Sequence, residues 1–558
     1  MEPFFLPKLF SVIGKGISRK QLANDVMSGV IVGIVALPLA IAFAIASGVG
    51  PEKGLITAII AGFLISFLGG SRVQIGGPTG AFVVIVASII GLYGIDGLII
   101  STIMAGIIMI IFGLLRLGAV IRFVPYPLTV GFTSGIAVLI FSSQIKDFFG
   151  LNTGDLPSEF IHKMGVLATS FHSVNLAALG IGAMSVLITV YWSKFSGKIP
   201  GSLVALLLSI VLTAVFKLDI ETIGSKFGEI SANFPKPAMP NVDFDLIIKH
   251  IAPAFTIAML GSIESLLSAV IADGMIGGRH RSNTELIAQG IANIGSGLFG
   301  GIPATGAIAR TATNIKNGGR TPIAGIVHAI TLLIIMLFAG KWAKYIPLSA
   351  LAGILMVVAY NMSEWRSFVS ITKGSKYDVL VLLTAFTLTV LVDLTVAIEV
   401  GMVLAALLFM KRMADIGEVK LLVSYKNESK EDPEIANIGL PENVEVFEIT
   451  GPMFFGVANK FKELMHQTGD KSNLIIVRMR NVPMVDATGI HNLKEMLKFF
   501  IHKNIKIVLS GVNNDVLKDL NNSGISKLVG DENIFPVFDE AVEYVKTHTN
   551  TNKTSNNH

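Results

Sequence analysis

From Asn24 to about Met410 the chain is a nearly continuous series of apolar runs separated by short polar breaks. That pattern leaves one architecture, a bundle of membrane-crossing helices, because backbone amides in hydrocarbon must close their hydrogen bonds within the segment. Runs long enough to cross, or nearly so, fall at 26–47, 54–70, 97–115, 124–142, 173–193, 201–217, 251–272, 286–300, 322–339, 347–360, 378–392 and 394–411. Two more, 79–93 and 304–315, start directly after Gly/Pro breaks and are short. Together they predict about fourteen membrane segments, two of them half-helices.

Composition agrees. Of 558 residues, 15% are charged and 52% hydrophobic, against about a quarter charged in soluble domains. The absence of cysteine removes disulfide and thiol chemistry. The net charge of +5 is divided among many loops, so no basic tract points to nucleic acid. No Gly-rich phosphate loop of the Walker type is present, which argues against ATP-driven work, and no cofactor is expected.

Lys and Arg placement sets the orientation. With Lys15, Arg19 and Lys20 inside, alternate segments bring inside Arg72, Arg116 with Arg122, Lys194 with Lys198, Arg279 with Arg281, Lys316 with Arg320, Arg366 with Lys373 and Lys376, and Lys411 with Arg412. Both termini are then cytoplasmic, in a bacterial inner membrane. The opening MEPFFLPKLFSVIGKGISRK is basic and mildly amphipathic, an interfacial segment that touches membrane lipid and not a signal peptide.

Beyond Lys411 the chain reads as a soluble domain. VEVFEIT (444–450), NLIIVRM (473–479) and KIVLSG (506–511) have strand patterns, with helical patterns near 456–467, 488–502, 512–522 and 537–547. Strands alternating with helices predict a small α/β domain. The expected divisions are a cytoplasmic N-terminal segment 1–24, a membrane domain 25–412, a linker 413–439, the soluble domain 440–548 and a disordered polar tail 549–558.

The two short runs carry the chemistry. Gly76-Gly77-Pro78-Thr79-Gly80-Ala81 in the first half is echoed by Gly301-Ile302-Pro303-Ala304-Thr305-Gly306-Ala307 in the second. Paired breaks at matching rank predict an inverted-repeat transporter with its site at the repeat interface. Two facing helix N-termini offer unpaired N–H groups and positive dipole ends, which suit an anion, and the Thr79 and Thr305 hydroxyls can donate as well. Read singly, each break is an ordinary kink of a Gly-rich membrane protein.

Charges within hydrocarbon are functional candidates because each costs about 3 kcal/mol at the bilayer centre unless paired or hydrated. Glu264 lies mid-span and Arg310 follows the second break. Arg310 adds full positive charge to the dipole site, while Glu264 with Ser268 one turn on can take a coupling proton or sodium ion. A bland alternative is an ion pair between Glu264 and Arg310 that merely joins two helices. His328 and Asp393, in or near apolar runs, read as structural.

The block ESLLSAVIADGMIGGRHRSNTELIAQGIANIGSGLFGGIPATGAIARTATNIKNGGRTPIAGIVHA (264–329) strongly resembles the sulfate permease (SulP) family of anion transporters, and the soluble segment resembles the STAS domain that usually follows it. PLSALAGILMVVAYNMSEW (347–365) and GPMFFG are similar to the bacterial branch that includes the four-carbon dicarboxylate transporter. The resemblance implies a seven-plus-seven inverted repeat, a core moving against a gate, a homodimer, and a pocket between the third and tenth segments. Carried over by motif, Thr79 and Gly80 fall at the pocket position after Gly-Pro. Ala309-Arg310 stand where many animal relatives have Ser-Arg, Phe43 matches the pocket aromatic, and Glu264 with Ser268 match the coupling-ion position. Leu39 replaces a Gln frequent in the first span, and Gly54-Leu55-Ile56 departs from the family's GLY motif, so this pocket is less polar.

In the soluble domain Asp486-Ala487-Thr488-Gly489 resembles the DSSG motif of anti-sigma-factor antagonists, which makes Thr488 a candidate phosphorylation site and the domain a candidate dock for a cytoplasmic protein. A plain helix cap explains the same residues. The expected function is secondary transport of a small inorganic anion or dicarboxylate coupled to a proton or sodium ion, without enzymatic activity. A passive anion channel, an exchanger, a sensor with a vestigial membrane part, and a carrier of uncharged nucleobases are the competing readings.

Overall fold

A computed structural model describes residues 5–119, 124–154, 156–157, 159–195, 200–228, 235–238, 244–416, 418–424, 427–428, 440–441, 443–454 and 472–555. The chain forms two compact units, Met1–Ala405 and Ala406–His558.

The first unit is helical apart from two short strands. In order come α1 (Lys8–Ile13), α2 (Arg19–Ala46), α3 (Pro51–Leu68), β1 (Gly76–Gly77), α4 (Ala81–Leu114), α5 (Tyr126–Phe149), α6 (Phe160–Thr169), α7 (Leu176–Tyr191), α8 (Gly201–Phe216) and α9 (Ile223–Phe227). After these come α10 (Phe244–Ile276), α11 (Ser282–Leu298), β2 (Thr305–Gly306), α12 (Ile308–Lys316), α13 (Ile323–Ala339), α14 (Leu348–Met362), α15 (Trp365–Thr372), α16 (Lys376–Leu391) and α17 (Leu394–Ile416). Local signals explain several ends. Ser18 caps α2 by accepting from Gln21 N, and Pro51 with Glu52 opens α3. Asn175 caps α7, and Gly150 closes α5 in the left-handed conformation.

Eight helical stretches among the described residues are long and apolar enough to cross a membrane. The α4 helix takes up two of the expected runs, divided at Gly94, whose φ of 71° and ψ of −170° break the helix. The α11, α12 and α16 helices, with 17, 9 and 16 residues, fall short of full-span length.

Packing sorts these helices into two groups. The α4 helix packs mainly on α10 and α11, α13 on α2 and α3, and α12 on α10 and α2; separately, α5 packs on α14 and α16, and α7 on α14 and α8. Small residues permit the closest crossing: a methyl group on Gly106 of α4 or on Gly290 of α11 would strike the other's carbonyl oxygen.

The second unit carries a six-stranded sheet in the order β4-β3-β5-β6-β7-β8, formed by β3 (Glu418–Ser424), β4 (Asn427–Glu428), β5 (Val444–Thr450), β6 (Leu474–Asn481), β7 (Lys506–Ser510) and β8 (Ile534–Phe535). The β5–β6, β6–β7 and β7–β8 pairs are parallel, as alternation with α18 (Ala487–His502), α19 (Asn514–Asn522), α20 (Ile525–Val529) and α21 (Phe538–Ser555) requires. Phe447, Ile475, Val477, Leu493, Leu497 and Phe500 close its core.

Two expectations change. The stretch read as a linker, 413–439, supplies β3, which pairs antiparallel with β5; its LLV run has the strand pattern, but the charged residues around it masked the signal. The polar tail is helical through Ser555, since Asn and Thr lower helix propensity without forbidding a helix already nucleated upstream. The helical pattern at 456–467 lies outside the described residues.

Candidate functional site

The two breaks meet. β1 and β2 pair antiparallel, Gly76 opposite Gly306 and Gly77 opposite Thr305, so α4 and α12 start side by side from one two-stranded bridge. A web of buried polar groups fixes that bridge. Ala307 N donates to Ile75 O at 2.8 Å, Ile75 N donates to Thr311 Oγ1 at 3.0 Å, and Asn293 of α11 holds both the N–H and the carbonyl of Ala304, each at 2.9 Å. Thr57 Oγ1 accepts from Ile302 N at 2.7 Å. An irregular backbone at membrane depth needs such partners, and apart from the Ala307–Ile75 backbone bond those named here are side chains of helices.

Around the bridge stand most of the residues singled out by sequence. Thr79 Oγ1 donates to Glu264 Oε2 at 3.1 Å, and both residues are half-buried. A methyl group on Gly80 would lie 2.6 Å from Met362 Sδ and 3.3 Å from Phe43 Cε1, which places the Phe43 ring and Met362 against the start of α4. Arg310 is 3% exposed, and its Nη2 donates to Pro78 O of the first break. The guanidinium of the second half-helix therefore rests on the backbone of the first. Among the described residues no ion pair joins Arg310 to Glu264, so the bland helix-joining pair is not formed. A guanidinium carries five N–H donors and a fixed charge; among the described residues no carboxylate forms an ion pair with it.

Three expected participants behave differently. Thr305 is fully buried, and its hydroxyl is engaged by Ser265 Oγ at 2.6 Å and Gly261 O at 3.0 Å, so it braces β2 and offers no donor to a ligand. Ser268 Oγ turns to Thr311 Oγ1 at 3.4 Å and makes no bond to Glu264. Ala309 lies on the exposed face of α12, whereas Arg310, Thr311, Asn314 and Ile315 face inward. Its short side chain leaves the helix N-terminus open. Sequence reasoning missed Ser265, Met362 and Asn293, because nothing in spacing marks a residue that reaches across from another helix.

Asp393 is bonded to two helices. Its Oδ2 accepts from Ser88 Oγ of α4 at 3.0 Å, and its Oδ1 accepts from Thr395 N at 2.6 Å. In the soluble unit Asp486 caps α18, accepting from Gly489 N at 2.6 Å, and Thr488 is exposed in the first turn.

Comparison with known proteins fits this arrangement. The sulfate permease family profile matches residues 22–385, and the STAS domain profile matches 437–541. YvdB of Bacillus subtilis is 40% identical, over 95% of this chain and 99% of its own length. The bicarbonate transporter BicA of Picosynechococcus sp. is 32% identical, over 88% of this chain and 89% of its own. In fold, the solved structure of SLC26A9 superposes with a TM-score of 0.87 at 18% identity, covering 99% of this chain and 94% of that one.

Proposed function

The chain belongs to the sulfate permease family, and from that premise we propose that it is a secondary active transporter, not an enzyme, which carries a small anion across a bacterial inner membrane with both termini in the cytoplasm. The cargo is of the bicarbonate, sulfate or dicarboxylate class. One observation carries this: the buried Arg310 guanidinium, without an ion-pair partner among the described residues, braced on Pro78 between two paired half-helix starts. A cation so placed costs several kcal/mol unless an anion joins it, and both helix dipoles add to the attraction. Phe43, Thr79, Gly80, Ala309 and Arg310 form the anion pocket, while Thr305 holds its wall.

Elevator-type alternating access is supported by the packing. The helices that carry the pocket, α2, α3, α4, α10, α11, α12 and α13, pack mainly on one another, while α5, α7, α8, α14 and α16 form a separate set that can serve as the gate. The order of elements before and after α9 supports a seven-plus-seven inverted repeat, since each half has two helices, a strand break and a half-helix in the same sequence. Glu264, tied to the pocket by Thr79 and lacking a cationic partner among the described residues, is the coupling carboxylate. It takes a proton or, with oxygens nearby such as Ser268, a sodium ion. The protein works as a homodimer. Thr488 is a phosphorylation site, and its domain a dock for a cytoplasmic protein.

Uptake into proteoliposomes tests the whole assignment, using radiolabelled bicarbonate, sulfate and succinate under separately imposed proton and sodium gradients. Saturable, gradient-driven accumulation of one of them is expected. Large unitary currents would instead identify a passive channel, and uptake only against internal anion would identify an exchanger.

A further inference from the structure

The α12 helix has 9 residues, too short for propensity alone to fix its direction. Its bearing is set by what its inward face touches. Arg310, Thr311 and Asn314 each engage the backbone of the first break. Arg310 Nη2 donates to Pro78 O, Thr311 Oγ1 accepts from Ile75 N at 3.0 Å, and Asn314 Nδ2 donates to Val73 O at 2.8 Å. Arg310 and Asn314 lie one turn apart on one face, and Pro78 and Val73 are the two ends of the stretch they meet. The half-helix is therefore held along the break at three places, with Arg310 at one end and Asn314 at the other. Asn314 is fully buried, and its amide is used on both sides. While Nδ2 serves Val73, Oδ1 accepts from Ser28 Oγ of α2 at 2.7 Å, and Asn314 O accepts from the same hydroxyl at 2.9 Å. The chain beyond α12 closes over this amide, since a methyl group on Gly319 would collide with Oδ1. One side chain thus joins α2, which carries Phe43, to the approach to Thr79 and to the helix of Arg310.

We propose that Asn314 is a positioning residue for the anion pocket: by bonding Val73 and Ser28 at once it fixes the direction of α12, and so the place of the Arg310 guanidinium against the start of α4. The chemistry of the position selects asparagine. A short amide presents a donor to a carbonyl and an acceptor to a hydroxyl in the same side chain. Leucine, of similar size, presents neither, and it leaves Val73 O without this donor in a buried place. Without the amide, α12 keeps the bridge and the Thr311 bond near its start, and its far end swings about them. Asn314 touches no substrate; it acts only through the arginine one turn away. The assignment rests on Arg310 serving the anion pocket.

The test uses the full-length protein in proteoliposomes, with radiolabelled bicarbonate and sulfate as probes and Asn314→Leu, Ser28→Ala and Arg310→Lys as variants. Thermal unfolding of the same proteins in detergent, at rising concentrations of each anion, runs beside it. One neutral hydrogen bond corresponds to about fivefold in an equilibrium constant. Asn314→Leu loses both side-chain bonds, so its half-saturation concentration should rise roughly tenfold, with the maximal rate per folded transporter little changed. Ser28→Ala leaves the Val73 bond in place and should raise it about threefold. The anion concentration that half-maximally raises the unfolding temperature should shift by the same ratios, because a ligand stabilises the state that binds it. A joint that only stabilises the fold lowers the unfolding temperature and leaves both half-saturation values where they were. That result in Asn314→Leu would overturn the proposal while leaving the pocket intact. An unchanged half-saturation in Arg310→Lys would overturn the pocket itself, and the positioning role with it. If Asn314→Leu does not fold, Ser28→Ala decides by the same two readouts, and unchanged half-saturation there overturns the proposal.

Discussion

Thr79 Oγ1 lies 3.1 Å from Glu264 Oε2, so the residue that opens the first half-helix is bonded to the half-buried carboxylate of α10. The proposed anion pocket and the proposed coupling carboxylate are thus joined by one hydrogen bond. Glu264→Gln keeps an acceptor for Thr79 but removes the charge. Gradient-driven accumulation should fall to background, while anion counterflow in the absence of a gradient stays within about threefold of the parent. Measuring both in the same vesicles checks the assignment. Equal loss of both modes would make Glu264 a binding residue instead of a coupling one.

Removal of the Arg310 charge is the more severe change. Arg310→Ala deletes the guanidinium at the bridge and leaves the Pro78 carbonyl without its donor. Truncating a buried charge partner costs about 2–5 kcal/mol, so uptake should drop at least roughly thirtyfold and anion binding with it. Normal uptake with unchanged affinity would remove Arg310 from the site.

Much of this arrangement is legible in the chain because it rests on residue types that act alone. The Gly/Pro breaks, the mid-span Glu264 and the single arginine after the second break announce themselves through the cost of placing them in hydrocarbon. What sequence could not supply was the cross-chain pairing. That Gly77 faces Thr305, that the Thr305 hydroxyl is spent on Ser265 and Gly261, and that Asn293 holds Ala304 all depend on which helix lies beside which. Ser268 shows the limit of periodicity: a position one turn from Glu264 is on its face, yet the hydroxyl turns to Thr311 on α12. In the soluble unit β5, β6 and β7 were plain from their branched residues, whereas the short apolar run of β3 was hidden among charged residues.

The bridge itself predicts a steric test. Gly77, at φ 147°, has backbone freedom denied to other residues, and a methyl group there would collide with Arg310 Nη1. A methyl group on Gly306 would collide with the Gln74 amide. Overpacking of this kind costs about 1–3 kcal/mol. Gly77→Ala should both lower thermal stability and raise half-saturation, because it displaces the charge. Gly306→Ala should lower stability with a smaller effect on affinity, since the displaced Gln74 amide is bonded to Ser265 O and not to Arg310. Thermal unfolding in detergent, paired with uptake kinetics, separates the two. Identical kinetic effects would mean that the bridge responds as one rigid body.

The start of α18 offers a control on regulation that does not involve the membrane helices. Asp486 caps the helix through Gly489 N, the third residue of the first turn, while Thr488 is exposed at the second position. Asp486→Ala should destabilise α18 by about 1 kcal/mol, the usual worth of an N-cap, and should speed hydrogen exchange of that helix in the full-length protein. Thr488→Ala should change stability by less than about 0.5 kcal/mol, as for an exposed side chain without special contacts. Thr488→Glu puts negative charge beside the positive end of the helix dipole, which is favourable by about 0.3–1 kcal/mol, so the helix tolerates a phosphate there. A regulatory Thr488 therefore predicts altered maximal uptake in Thr488→Glu with exchange of α18 unchanged or slowed, never hastened. Unaltered uptake in that variant would leave Asp486-Ala487-Thr488-Gly489 as a helix cap alone.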